Sequence, residues 1–252
     1  MNIILIGTGN VATVLGEQFT RAGHRIVQVF GRTEASAREL SGKLESTYTC
    51  SWKELIPEAD LYVVAISDSA ITGISQHIRL KDQLIVHTAG AVPAEVLQPV
   101  SGQYGVLYPL QSLRGQAPST GQVPFLIDAN TEGGLKKLKT LVRSIHSPFQ
   151  VSNDEQRLQM HLAAVWVNNF PNLLYSIAFK ICLEKELDFR LLKPLIAETA
   201  GRISIHDPWE WQTGPAIRKD QNTLEKHKAL LVNHPNWLQL YSMLSEEIQR
   251  MA

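Results

Sequence analysis

Six residues near the start of the chain, Gly7-Thr8-Gly9-Asn10-Val11-Ala12, have the types and spacing needed to hold a phosphate against bare backbone. The first glycine allows a tight turn. The second has no Cβ, so an anion can approach the main chain. A small third residue, here Ala12, lets a helix pack close to a strand. Free N–H groups and the positive dipole end of a helix starting there would face the same anion. Arg32 and Thr33 stand about 20 residues on, where an NAD site usually carries Asp or Glu for the ribose 2′-OH. A guanidinium beside a hydroxyl suits a 2′-phosphate instead, so the pair predicts NADP (NADPH) as cofactor over NAD. One charge-assisted hydrogen bond contributes about 1.5–3 kcal/mol, a preference of about 10- to 150-fold. The competing reading makes Arg32 a surface residue and Thr33 merely a helix cap.

Three further groups of residues have chemistry to offer. Ser67, Asp68, His87 and Thr88 follow apolar runs that read as parallel strands, and ligands of such sheets bind beyond the strand C-termini. His87 is the group there suited to titrate near neutral pH; it either contacts cofactor or substrate, or caps a loop. Farther on, His161, Asn168 and Asn172 are spaced by seven and four residues. On an α-helix they fall within about 20° of one line, with Asn169 one step round and the small Ala163 and Ala164 nearby. His161 would donate a proton to a carbonyl or imine, with Asn168 and Asn169 beside it. The alternative is a polar seam between packed helices or subunits. Near the end, Gly214-Pro215 makes a turn ahead of Arg218 and Asp220. Arg218 either clamps a substrate carboxylate or pairs with Asp220, a natural N-cap. His227 and His234 are not spaced as a metal pair and there is no HExxH, so no metal site is expected.

The elements that must position these residues follow from hydrophobic period. Asn2-Ile3-Ile4-Leu5-Ile6 is an apolar, β-branched run, read as a buried strand. Val11, Val14, Leu15 and Phe19 then mark one helix face, with Gly23 ending it, and Ile26 to Phe30 is a second strand. Helix Glu34 to Leu44 and strand Thr47 to Cys50 come next. Ser51-Trp52-Lys53-Glu54 reads as a capping box. Strands follow at Asp60 to Ile66, Gln83 to His87 and Tyr104 to Tyr108, with a helix between Ala70 and Ile78. Arg114 to Gln122 reads as a loop, Phe125 to Ile127 as an edge strand, Thr131 to Ile145 as a helix and Phe149 to Val151 as a last strand. This alternation calls for an α/β fold, a Rossmann-like, mostly parallel sheet with helices on both faces.

At Ser152 the pattern changes to helical periodicity throughout. The expected division is residues 1–151 as a dinucleotide-binding domain and 152–252 as an all-α domain. Ser152-Asn153-Asp154-Glu155 reads as a capping box opening a helix as far as Glu186, roughly 50 Å long. Pro171 should kink or break it. Asp188 should cap the next helix, with two more over Gln221 to Val232 and Pro235 to Arg250.

The chain has 252 residues, with Lys+Arg and Asp+Glu equal at 24 each. That balance favours neither nucleic acid nor a charged membrane surface as partner, and no apolar run reaches transmembrane length. The first strand lacks the basic start and the length of a signal peptide. Cys50 and Cys182 are isolated, so free thiols and a cytoplasmic location are expected.

With those motifs in place, the chain resembles a two-domain family of NADP oxidoreductases by assignment, built from a Rossmann-like N-terminal domain and a helical C-terminal domain of unknown function. It is distantly similar to pyrroline-5-carboxylate reductase, F420-dependent NADP reductase and the β-hydroxyacid dehydrogenases. The resemblance spans essentially the whole chain. It rests on Ile6 to Ala12, Val86-His87-Thr88-Ala89-Gly90, Tyr108-Pro109-Leu110-Gln111, His161 with Ala163-Ala164 and Asn168-Asn169-Phe170, and Gly214-Pro215 with Arg218 and Asp220. It implies NADP binding and a homodimer built through the helical domain. The pattern also departs from these relatives. There is no lysine on the long helix until Lys180, so the lysine-based chemistry of the β-hydroxyacid dehydrogenases does not carry over. The terminal Ser/Thr-rich motif of pyrroline-5-carboxylate reductases is missing, which argues against proline synthesis.

The expected function is hydride transfer between NADP(H) and a small carbonyl or imine substrate in an interdomain cleft. The alternative is a non-catalytic NADP(H)-binding sensor or interaction module. A deazaflavin (F420) partner rests on family analogy alone.

Overall fold

The computed structural model describes residues 1–114 and 122–251. The expected Arg114 to Gln122 loop falls mostly on residues outside them. The described chain forms two compact units, Met1–Asn169 and Phe170–Ala252.

In the first unit, eight strands form one sheet in the order β3-β2-β1-β4-β5-β6-β7-β8. They are β1 Asn2–Ile6, β2 Arg25–Phe30, β3 Thr47–Thr49, β4 Leu61–Val64, β5 Leu84–His87, β6 Tyr104–Pro109, β7 Phe125–Ala129 and β8 Phe149–Val151. All neighbours run parallel except β6 and β7. The apolar runs are continuous because both faces of the sheet are covered. Ile3 and Leu5 enter the core on one face, while Ile4 and Ile6 enter the core on the other. Helices α1 (Asn10–Arg21) and α4 (Glu132–Ser144) contribute Leu15, Phe19, Leu138 and Leu141 to the first face.

Several local expectations are corrected. The segment Phe125 to Ile127 is not an edge; its residues are buried and β8 lies outside it. The helix expected from Ala70 to Ile78 is two short turns, α3 (Asp68–Ile71) and a 3-10 turn over Ile74–Gln76. Ser51 caps nothing with its side chain: the Glu54 N–H donates to the Ser51 carbonyl at 3.1 Å, and the Glu54 carboxylate accepts from Thr49 Oγ1 at 2.6 Å. The second capping box forms one residue later than expected, between Asn153 and Gln156. Ser152 donates its backbone N–H to Ile127 across the sheet at 3.1 Å, so it cannot begin the helix.

Helix α2 is Glu34–Lys43 and α5 is Asp154–Ala164. The chain then runs through a π turn, Val165–Asn169, into α6, Phe170–Glu184. Pro171 therefore does not break the long helix. A proline ring clashes with the carbonyl four residues back, here Val167, which lies inside the widened turn. The second unit continues with α7 (Lys193–Arg202), α8 (Gln221–Leu230) and α9 (Pro235–Met251). Asp188 caps a single 3-10 turn ahead of α7. No helix among the described residues is long and apolar enough to cross a membrane. Both cysteines are free thiols, Cys50 exposed and Cys182 buried.

Candidate functional site

The strand order reverses around β1, which lies between β2 and β4, so the crevice of the sheet opens beyond the C-terminal ends of β1 and β4. Gly7 turns the chain there with φ +124°. A Cβ on it would lie 2.1 Å from the Ala65 carbonyl oxygen, so no other residue fits. Gly9 is different. Its φ is −80°, and no protein atom lies within 4 Å of a Cβ built there. The protein itself does not require that glycine; an approaching ligand would. Thr8 borders the turn, and a Cβ on Gly31 would meet its Cγ2 at 2.8 Å. Ala12 is fully buried.

The next residues supply the positive potential. Asn10 and Val11 open α1, whose first turn has no side-chain cap and no acidic residue. The unpaired N–H groups of that turn and the helix dipole are left for an anion. Arg32 and Thr33 follow β2. Arg32 is exposed and makes no ion pair among the described residues. Thr33 Oγ1 lies 2.6 Å from Ser36 Oγ, so two hydroxyls stand at the start of α2, directly after Arg32 in the chain. Ser67 and Asp68 are exposed at the end of β4. The residues present fit a dinucleotide with a 2′-phosphate: a bare glycine, an uncapped helix start and an unpaired arginine belong to neighbouring strand ends.

The loop after β5 and the end of β6 hold a second cluster. Tyr108 Oη and His161 Nδ1 are 2.9 Å apart, with their rings edge to face. Gly90 lies against both; a Cβ on it would stand 2.9 Å from the His161 ring and 3.1 Å from Tyr108 Cζ. Burial pushes the Tyr108 hydroxyl above its ordinary pKa, and the negative charge of Asp68 adds to this. One turn before His161, Arg157 is buried with 1% of its surface exposed. It donates from Nε to the Gly90 carbonyl at 3.2 Å and from Nη2 to the Val92 carbonyl and to Asp154. Asp154 in turn accepts from the Ala94 N–H at 3.2 Å. The first helix after the sheet is thus tied to the loop after β5, and it places His161 in the first unit.

His87 takes the loop-capping alternative. It is completely buried, Nε2 is 3.3 Å from the Pro93 carbonyl and Nδ1 accepts from the Ala89 N–H. Burial, with the nearby Arg157 charge, lowers its pKa to about 4. The expected cofactor contact has no exposed atom to make it; its residue in the strand alternation turns it into the same face as Ile85. Asn168 and Asn169 are exposed in the π turn. A π turn bonds i to i+5, so Asn168 leaves the straight line with His161 that a regular helix predicts.

In the second unit, Asp220 caps α8, accepting from the Thr223 N–H at 3.1 Å and the Thr223 hydroxyl at 2.7 Å. Those two donors hold its carboxyl below the usual range. Arg218 is exposed and forms no direct ion pair with Asp220, although its charge adds to the lowering of the Asp220 carboxyl. Among the described residues there is no group of three side chains able to hold a metal.

Sequence reasoning did not single out Tyr108, Gly90 or Arg157 as site residues. Tyr108 had an available signal, since it lies at the C-terminal end of a parallel strand. The end of β6 lies on the same edge of the sheet as the ends of β4 and β5.

A Rossmann-like domain family matches residues 1–111, and the domain of unknown function DUF2520 matches residues 123–248. A crystal structure from Bacteroides fragilis, named "putative NADP oxidoreductase", is 38% identical with a TM-score of 0.91, covering 99% of this chain and 98% of its own. Pyrroline-5-carboxylate reductase from Streptococcus pyogenes is 14% identical (TM-score 0.70, 99% and 98% covered). An imine reductase from Myxococcus stipitatus in complex with NADP+ is 16% identical (TM-score 0.63, 99% and 93% covered). These last two show likeness of fold. No curated protein matches the chain.

Proposed function

The chain belongs to the family that joins a Rossmann-like domain to the DUF2520 domain, and from that premise we propose that it is an NADP-dependent oxidoreductase acting on a small carbonyl or imine compound. The observation that carries this reading is Gly9, a glycine with open space over it at the uncapped start of α1. The relative from Bacteroides fragilis, named for NADP oxidation and reduction, supports it. NADPH, when bound, supplies hydride to a polarised carbon.

The protein's own residues do the rest. Gly7 to Ala12 receive the pyrophosphate against free N–H groups. Arg32, with the Thr33 hydroxyl, pairs with the 2′-phosphate. Ser67 and Asp68 border the crevice at the end of β4. His161 donates a hydrogen bond from its ring N–H to the oxygen or nitrogen of the substrate and polarises the bond that receives hydride, while the proton that completes the reduction is drawn from water. Asn168 and Asn169 offer amide groups from the adjoining π turn. Arg218 anchors an acidic substrate group.

The helical unit is assigned to homodimer formation. Helix α6 carries only Lys180 and Glu184 as charges, yet Leu173, Leu174, Phe179 and Leu183 are exposed on the single chain. A helix apolar on all sides is ordinarily buried, and monomers rarely leave such a patch in water. A second copy offers the same face and closes the contact by two-fold symmetry. Sedimentation should therefore show a dimer, and Leu173→Glu with Leu183→Glu should give monomers.

The activity is tested by following loss of nicotinamide absorbance with small ketones, aldehydes and cyclic imines. Turnover by the wild-type protein, abolished in His161→Ala with NADPH affinity nearly unchanged, is the expected result. Undiminished turnover in His161→Ala would contradict the role of that residue. NADPH binding without turnover of any compound would leave a nucleotide-binding module.

A further inference from the structure

We propose that Tyr108 is the positioning residue of His161, holding the proton of the neutral imidazole on Nε2, and that Gly90 is the gap that lets the two rings meet. The inference rests on the oxidoreductase reading for its purpose, but its geometry is independent of any ligand.

The two partners come from distant parts of the chain. Tyr108 ends on β6 and His161 is on α5, and their side chains meet at 2.9 Å between Oη and Nδ1. A phenol hydroxyl can donate or accept, while a neutral imidazole has one nitrogen of each kind. The Tyr108 hydroxyl has no other hydrogen-bond partner among the described residues. Burial and the charge of Asp68 both disfavour its ionisation, so the hydroxyl keeps its proton. Its best use is donation to Nδ1, and the bond made by one ring nitrogen sets the tautomer of the other. His161 Nε2 then carries the proton. It has no partner among the described residues, and His161 is only partly buried. Nε2–H is thus left as a free donor, the form needed to polarise a C=O or C=N bond.

Gly90 makes the meeting possible. A Cβ there would overlap the His161 ring and crowd Tyr108 Cζ. Its backbone is not in the left-handed region, so conformation alone does not demand glycine; the two side chains do. Arg157 fixes the loop from the other side by bonding to the Gly90 carbonyl. Strand end, loop and helix therefore converge on one imidazole.

The test is ¹⁵N NMR of His161 in the full-length protein without cofactor, for the wild type, Tyr108→Phe and Gly90→Ala. The wild type should show the Nε2–H tautomer. Losing one neutral hydrogen bond should raise the share of Nδ1–H about fivefold in Tyr108→Phe. Gly90→Ala should do the same while keeping both rings, because the added methyl wedges them apart. A wild-type ring protonated on Nδ1, or a tautomer ratio unchanged by Tyr108→Phe, would overturn the proposal. An unchanged ratio in Gly90→Ala would overturn the role of Gly90. On a substrate found by the turnover screen, Tyr108→Phe should lower kcat tenfold or more with NADPH affinity unchanged; undiminished kcat would overturn the positioning role. The NMR result needs neither cofactor nor substrate, so it stands apart from failure of the oxidoreductase reading.

Discussion

Arg157 donates through its buried guanidinium to the carbonyl oxygen of Gly90 at 3.2 Å, across 67 positions of sequence. With the bond to Val92 and the ion pair to Asp154, one side chain closes the loop after β5 onto the helix that bears His161. Replacing it strands two carbonyls and a carboxylate. Arg157→Met should cost about 2–4 kcal/mol, read as a lower urea midpoint. Asp154 is partly exposed and water can take over its charge, so the loss should fall short of that for a fully buried pair. A change below about 0.5 kcal/mol would show that the loop is held by other contacts.

His87 predicts how stability responds to acid. Its folded pKa is about 4 against an ordinary 6.5, because burial and then the Arg157 charge disfavour the imidazolium. The unfolded chain therefore binds more protons between those values, and stability must rise with pH across that window. It is full above about pH 6.5 and is lost as the pH falls towards 4, by up to about 3 kcal/mol. His87→Gln keeps a donor for the Pro93 carbonyl and an acceptor for the Ala89 N–H, and it cannot titrate. Its stability should vary less than that of the wild type over this range, measured by urea unfolding at several pH values. Parallel curves for the two proteins would contradict the buried, neutral assignment.

What could be read in the sequence was local. The opening strand, glycine turn and helix are adjacent in the chain, and their period and turn chemistry announced them. Strand ends were legible for the same reason, and so was the shift to helices after Val151. The Tyr108–His161 and Arg157–Gly90 contacts were not, because each joins residues far apart in sequence. A lone arginine on a helix ordinarily reads as a solvated one. Competition for backbone groups explains the smaller misses. Ser152 gives its N–H to the sheet, which moves the cap to Asn153. Pro171 is accommodated by the π turn, which spoils the helical spacing that aligned His161 with Asn168 and Asn172.

The two glycines of the turn should separate folding from binding. Gly7→Ala places a methyl against the Ala65 carbonyl at a positive φ and should destabilise the protein strongly. Gly9→Ala meets no protein atom, so it should cost less than about 1 kcal/mol while reducing NADPH affinity tenfold or more. Thermal unfolding and calorimetry on the same samples provide the comparison. Wild-type affinity in Gly9→Ala would mean that the open space above that residue is not used by the dinucleotide.

The most direct test of the central claim is calorimetric titration of nucleotide-free protein with NADPH and then NADH, for the wild type and Arg32→Ala. NADPH should bind tightly to the wild type, with NADH weaker by tenfold or more. Arg32→Ala should remove that difference by weakening NADPH alone. Equal affinities in the wild type would contradict the role of Arg32 at the 2′-phosphate, and no binding of either nucleotide would contradict the oxidoreductase assignment itself.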